Sequence, residues 1–302
     1  MTSSGKLSLR RRELLAAFGV SMMPRALLAA DMARLVVGGG ALTEIVVALG
    51  AGAQIVGVDT TSLYPARLVE KLPKIGYLRT LSAEGILSLS PSMLVVSDQA
   101  GPPSVLDQLR SVKLPLAVVP ETSAADHVSE KVVAVAEAIG RREKGAEMAA
   151  TIVADLKAAR DAISSLKRPS VLFILSSTGD RLMAAGQATA AETMIDLAGA
   201  RNAVQGYVNY KPLSSESAMA ADPDVIVLPD HAVSALGGAA AVKRLPQLAS
   251  TRAAAAGRIV SMDSLYLLGL GPRIAHAARD FAAALHPEAR LPDLPVRAWT
   301  TA

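Results

Sequence analysis

The segment Leu81-Ser82-Ala83-Glu84, continued by Pro91-Ser92-Met93-Leu94-Val95-Val96-Ser97-Asp98, returns 132 positions later. The second copy reads Leu213-Ser214-Ser215-Glu216, then Pro223-Asp224-Val225-Ile226-Val227-Leu228-Pro229-Asp230. Leucine, serine, glutamate, proline and aspartate keep the same spacing in both. Each copy is a short helical pattern opening on serine, followed by an apolar run of strand length. A helix-and-strand unit used twice predicts two similar lobes, and a cleft between lobes is a favoured place for a ligand.

The rest of the chain agrees with that plan. Apolar runs bounded by turns recur at residues 34–37, 54–58, 93–97 and 116–119, with helical patterns at 42–49, 82–89 and 104–110. The alternation restarts with strands at 170–175, 225–228 and 259–261 and helices at 192–197, 214–219 and 273–285. Strands alternating with helices predict an α/β fold of mostly parallel sheets flanked by helices. Between the halves, residues 142–166 hold no proline and a single glycine, Gly145. Met148, Ile152, Leu156, Ala159, Ile163 and Leu166 step by three or four along this stretch. That spacing keeps them on one helix face. The expected organisation is an export signal at 1–30, an N-terminal lobe at 31–141, a linking helix at 142–167 and a C-terminal lobe at 168–302. A single rigid connection of this kind limits opening and closing to a modest range.

Charge is concentrated at the start. Of a net +4, residues 1–30 account for all, with Lys6, Arg10, Arg11, Arg12 and Arg25 against Glu13. The remaining residues carry 26 basic and 26 acidic side chains. This balance gives no support to a nucleic-acid partner, which needs basic residues clustered in the folded part. The leader has a basic start, an apolar run from Leu14 to Val20 and small residues at Ala29 and Ala30, the pattern of an export signal. Arg10-Arg11-Arg12 also fits a twin-arginine signal, so either export route is open. No later segment reaches the roughly 18 uninterrupted apolar residues of a membrane span. The chain has no cysteine, which excludes disulfides, thiolate metal sites and cysteine nucleophiles.

Few residues carry recognisable chemistry. Gly76-Tyr77-Leu78-Arg79-Thr80-Leu81 leads into the first repeat copy. In an extended loop Tyr77 and Arg79 share a face, placing a phenol beside a cation. A nearby cation favours the phenolate, and tyrosine is a known axial ligand of haem iron. The alternative is a tyrosine packed at a lobe edge with a surface arginine. The repeat relates Tyr77 to Asn209 and Arg79 to Lys211, so a second cation is expected on the opposite wall, with Tyr210 available to stack on a flat ring. Two such cations suit a dianionic ligand; otherwise Lys211 is a solvated loop lysine. Ser82 and Ser214 have the placement of N-caps, with Glu84 and Glu216 in the first turn, where the helix dipole favours a carboxylate. Glu84 and Glu216 also form a matched pair of acids on two lobes, which a two-fold symmetric basic partner could grip.

Other signals are weak. Gly38-Gly39-Gly40 follows a strand, but Thr43 occupies the last place of a dinucleotide fingerprint. The histidines, at 127, 231, 276 and 286, form no metal-spaced pair and are expected at the surface or in packing. There is no nucleophile elbow, and no acid/base pair or triad stands out. Ser176 to Asp180 is expected as a polar loop beside the cleft.

Taken together, Gly76-Tyr77-Leu78-Arg79-Thr80-Leu81-Ser82-Ala83-Glu84-Gly85, Asp59-Thr60-Thr61-Ser62, Leu72-Pro73, Gly101-Pro102-Pro103, Ala184-Ala185-Gly186, Lys211-Pro212-Leu213-Ser214 and Leu265 to Arg273 resemble the periplasmic haem-binding proteins of bacterial ABC haem importers. The resemblance spans roughly residues 33–287. It implies two lobes joined by one long α-helix, with haem b bound between them as cargo. It makes Tyr77 the axial iron ligand and Arg79 its supporting cation. It implies that Glu84 and Glu216 dock onto a dimeric ABC permease, that the protein itself is a periplasmic monomer, and that it is not an enzyme. Some relatives bring a histidine from the loop after the first strand of the second lobe. Here that loop is Ser176-Ser177-Thr178, so one protein ligand and five-coordinate ferric haem are expected. The same scaffold would also serve a ferric siderophore or a corrinoid. An exported enzyme or a structural envelope protein are rivals of other classes; the first needs a base or nucleophile, the second predicts no tight ligand.

Overall fold

The structure, a computed structural model, describes residues 33–121, 123–178 and 181–301. The expected export signal at 1–30 lies outside the described residues, as do Gly179 and Asp180. The first half runs β1 (Leu35–Gly38), α1 (Gly40–Ala48), β2 (Ile55–Val58), a one-turn α2 (Ala66–Val69), the two-residue strands β3 (Gly76–Tyr77) and β4 (Thr80–Leu81), α3 (Ala83–Ser88), β5 (Met93–Ser97), α4 (Pro103–Ser111) and β6 (Leu116–Val119). Four of these strands form an all-parallel sheet in the order β2-β1-β5-β6. β1 is buried throughout, and so is β5 beyond its first residue. Helices cover both faces of such a sheet, so its strands need no polar face; this is why Leu94-Val95-Val96 shows no alternation.

Two helices follow, α5 (His127–Ala138) and α6 (Arg142–Ile163), packed against each other. α6 joins the lobes. At 22 residues it is about 33 Å long, and it buries Met148, Ile152, Leu156, Ala159 and Ile163, the face anticipated from their spacing. It stops short of Leu166 at Ser164 and Ser165, residues whose hydroxyls compete for backbone hydrogen bonds.

The second half runs β7 (Ser170–Thr178), β8 (Arg181–Ala185), α7 (Ala190–Leu197), β9 (Arg201–Asn202), β10 (Tyr210–Leu213), α8 (Ser215–Ala221), β11 (Val225–Pro229), α9 (Asp230–Ala235), the single turns α10 (Ala239–Val242) and α11 (Arg252–Ala255), β12 (Ile259–Met262), α12 (Ser264–Leu268) and α13 (Ile274–Leu285). The sheet order is β10-β8-β7-β11-β12, with β9 beside the start of β7. β11 pairs parallel with β7 and β12, while β8 and β10 are antiparallel additions. β10 carries Pro212, which lacks an N–H, and it is an edge strand, the place where proline is tolerated.

The lobes meet through charged side chains. Arg273, just before α13, donates two hydrogen bonds of 2.7 and 2.8 Å to Glu44 of α1. Its guanidinium lies 3.7 Å from the Tyr64 ring centroid and 4.8 Å from that of Tyr266. Lys131 of α5 pairs with Glu121 and reaches the Leu270 carbonyl at 3.4 Å. Gly40 lies against the same segment: a Cβ there would sit 2.6 Å from the Thr61 carbonyl oxygen and from Leu265 Cδ1.

Candidate functional site

A cleft of about 810 Å³ is lined by residues of both lobes. Most of its wall is made where parallel strands end: Gly39 to Ala41 after β1, Thr60 and Thr61 after β2, Ser97 and Gln99 at the end of β5, Glu121 beyond β6, His231 after β11 and Ser264 after β12. In open α/β sheets the carboxyl ends of strands are the usual ligand side, because loops there are free to vary. Leu63, Leu78, Leu265, Leu268 and Leu270 make the surface substantially apolar.

One buried carboxylate shapes the floor. Asp59 accepts hydrogen bonds from Gly39 N–H at 2.9 Å, Thr61 N–H at 2.9 Å, Thr61 Oγ1 at 2.5 Å and Ser62 Oγ at 2.7 Å. These donors satisfy both carboxylate oxygens, which lets a charged group sit with no solvent exposure. Thr61 Oγ1 also accepts from Gly40 N–H at 3.2 Å. The Asp59-Thr60-Thr61-Ser62 motif therefore ties the end of β2 to the start of α1.

Tyr77 and Arg79 arrive together, but in a different backbone from the extended loop expected. β3 and β4 pair antiparallel, Gly76 with Leu81 and Tyr77 with Thr80, so Leu78 and Arg79 are the two residues of a hairpin turn. Gly76 makes this possible: its φ is +104°, and a Cβ there would lie 2.9 Å from the Thr80 carbonyl oxygen. Gly101 pins the turn, accepting from Leu81 N–H at 2.8 Å and donating to the Leu78 carbonyl at 3.0 Å. Both side chains line the cleft. Tyr77 is 50% exposed, and neither its hydroxyl nor the Arg79 guanidinium has a hydrogen-bond or ion-pair partner among the described residues.

On the opposite wall Asn209 and Tyr210 line the cleft, whereas Lys211 is not among the lining residues. Tyr210 begins β10, and successive side chains on a strand point to opposite faces, so Lys211 turns away. Its ammonium sits 5.1 Å from the Tyr207 ring centroid. Burial pushes the Tyr210 phenol above its ordinary range, with the Ala191 backbone and Thr189 side chain pulling it back. Asn209 adopts a φ of +64°, a conformation asparagine tolerates better than most residues.

Ser82 and Ser214 are N-caps, accepting from Gly85 N–H at 3.0 Å and Ser217 N–H at 3.1 Å. Glu84 and Glu216 are exposed in the first turns of α3 and α8, away from the cleft lining. Its own backbone N–H, and then Ser214, hold the Glu216 carboxyl below the usual range. Ser176 and Ser177 do not form the expected polar loop. They continue β7, paired with β8, and do not line the cleft. His231, expected at the surface or in packing, is exposed and also stands in the cleft wall, a place the sequence reading did not assign to it. The repeat carries a signal for it: His231 lies 132 positions after Gln99, one place beyond the matched aspartates.

Comparison with known proteins places this architecture. Residues 35–266 match the model of a family described as periplasmic binding protein. The periplasmic haem-binding protein RhuT from Roseiflexus sp. RS-1, in its apo form, is 40% identical, with a TM-score of 0.82 over 84% of this chain and 98% of that one. The periplasmic haem-binding protein BhuT in complex with two haems is 41% identical, with a TM-score of 0.80 over 84% of this chain and 98% of that one. A vitamin B12-binding protein of Vibrio cholerae is 25% identical over 191 residues, 63% of this chain and 68% of that protein.

Proposed function

The chain belongs to the periplasmic binding protein family, and on that footing we propose that it captures ferric haem b in the periplasm and hands it to an ABC importer. The observation that carries this reading is a phenol, Tyr77, and a guanidinium, Arg79, that both line a cleft of mixed apolar and polar wall and have no hydrogen-bond or ion-pair partner among the described residues. Haem asks for these features: a flat apolar ring needs apolar walls, and ferric iron needs an anionic oxygen. Tyr77 supplies the oxygen and Arg79 the positive charge beside it. Likeness to haem-binding structures at 40% identity supports the same ligand. A corrinoid is the second reading, supported by the vitamin B12-binding relative. A corrinoid brings its own metal ligands and makes no use of the phenol.

Ferric haem titration of the purified protein, followed by absorbance, tests the reading. Saturable binding with a tyrosinate-type high-spin contribution is expected. Saturation by cobalamin and none by haem would reverse the order of the two readings. In the same titration Lys211→Ala is expected to match the unsubstituted protein in affinity and spectrum, because Lys211 is not among the cleft-lining residues, whereas a weakening comparable to that of Arg79→Ala would return Lys211 to the site.

Delivery in this reading uses Glu84 and Glu216. They occupy equivalent helix starts on two lobes, the arrangement a two-fold permease dimer can meet with one basic socket per subunit. The variant Glu84→Ala/Glu216→Ala is expected to bind haem as the unsubstituted protein does and to slow import in vesicles holding the permease, since rim charges act chiefly on association. Import at the normal rate would exclude these acids from docking.

A further inference from the structure

We propose that Lys131 fits the cleft to an anionic ligand without touching it: from behind the wall it neutralises Glu121, a carboxylate that faces the cavity. The proposal rests on the haem reading above and makes the pair a determinant of which cargo is accepted. Among the described residues that line the cleft, Glu121 is the only acid and Arg79 the only arginine or lysine. A lone carboxylate in that wall would oppose haem. A tyrosinate cancels the positive charge of the ferric porphyrin core, and the propionates leave the bound ligand anionic.

The structure supplies the neutralising charge. Lys131 lies on the buried face of α5 beside Val128, Val132 and Val135, a costly place for an ammonium that has no partner. Its Nζ donates to Glu121 Oε1 and, at 3.4 Å, to the Leu270 carbonyl. The Lys131 side chain is 2% exposed and that of Glu121 30%, so the ammonium stays behind the wall while the carboxylate is open to the cavity. Glu121 and Leu270 both line the cleft, and Lys131 does not. Asp98 brings a further acid close by, accepting from the Glu121 N–H at 3.1 Å. Stability alone does not call for these charges, since apolar residues of similar volume often replace a buried ion pair without loss. The pairs Glu44–Arg273 and Asp155–Arg297, each with a buried acid, put no member in the cleft lining. Lys131–Glu121 is thus set apart by its position against the ligand.

The test compares two probes at low ionic strength, where exposed charges are least screened: ferric haem, and ferric haem dimethyl ester, whose propionates are capped. Lys131→Met is expected to weaken haem binding by at least about tenfold, on the scale of like charges brought together at an interface. It should leave the ester's affinity and the spectrum of both probes unchanged. Lys131→Met/Glu121→Gln removes both charges and should restore haem affinity. Gln99→Glu, at an exposed residue of the same cleft, leaves the pair intact and adds a carboxylate with no lysine behind it. It should weaken haem and spare the ester, and it tests the charge argument even if Lys131→Met does not fold. Equal loss of haem and ester in Lys131→Met with no restoration in the double variant would make Lys131 a structural residue only and overturn the proposal. So would unaltered haem affinity in Lys131→Met or in Gln99→Glu. Each of these outcomes leaves the haem reading intact, whereas absence of haem binding by the unsubstituted protein overturns both.

Discussion

Replacing Tyr77 by alanine is expected to weaken ferric haem binding by at least about 100-fold, the upper end of what loss of a mere outer-shell partner costs at a metal site. The fold should be unaffected. Tyr77 is 50% exposed, on a two-residue strand, and its hydroxyl bonds to no described residue, so little packing is lost. Tyr77→Phe separates the ligand from the ring: it keeps the apolar surface and removes the oxygen. The two variants should therefore share the spectral change, with phenylalanine retaining somewhat more affinity. A Tyr77→Phe protein with the spectrum and affinity of the unsubstituted protein would falsify phenolate ligation, even though haem remained the cargo. Arg79 belongs to the same argument, because a guanidinium close to the bound phenolate favours its negative charge. Arg79→Ala should weaken binding without removing the tyrosinate signature.

The second large effect concerns stability. Glu44→Ala is expected to destabilise the protein by about 3–5 kcal/mol, the cost of leaving one partner of a buried ion pair behind. Arg273 would be that partner, with a side chain 13% exposed, against 3% for Glu44. Burial alone pushes the Glu44 carboxyl up, and the Arg273 hydrogen bonds pull it back. For Arg273, burial works against the charge, but Glu44 more than restores it. The bidentate geometry decides in favour of an ionised pair, because each carboxylate oxygen has its own N–H donor. For a chain of this size the melting temperature should fall by about 10 °C. Glu44→Gln keeps one acceptor and should lose less. A melting temperature of Glu44→Ala within a degree or two of the unsubstituted protein would show that the pair does not hold the lobes. Since Arg273 stacks on Tyr64 and Tyr266, whose neighbours Leu63 and Leu265 line the cleft, the same change should loosen the cleft floor.

How far these features were legible in the sequence depended on whether their cause was local. β5 and β6 begin and end at the residues expected from their apolar runs, and Ser82 and Ser214 cap their helices as read. α5 was missed although Val128, Val132 and Val135 step at helical spacing, because Lys131 is buried among them as half of an ion pair. The tyrosine–arginine pair was found through a loop geometry that is not present. A hairpin turn, held by Gly76 and Gly101, brings both side chains into the cleft by another route. Lys211 was paired with Arg79 by counting, but strand alternation and the Tyr207 ring turn it aside.

The sequence by itself determined that a helix-and-strand unit is used twice, that β5 and β11 are buried strands, that Ser82 and Ser214 open their helices and that one long helix joins the halves. These follow from periodicity and capping, interactions between residues a few places apart. The tertiary structure decided what the cleft contains. Glu44 and Arg273 are 229 residues apart, and Tyr77 and His231 reach one cavity from different sheets. Nothing local to any of these residues encodes its neighbours. They meet because strand order, edge pairing and the packing of α12 against the first lobe bring distant loops together at the carboxyl ends of two sheets.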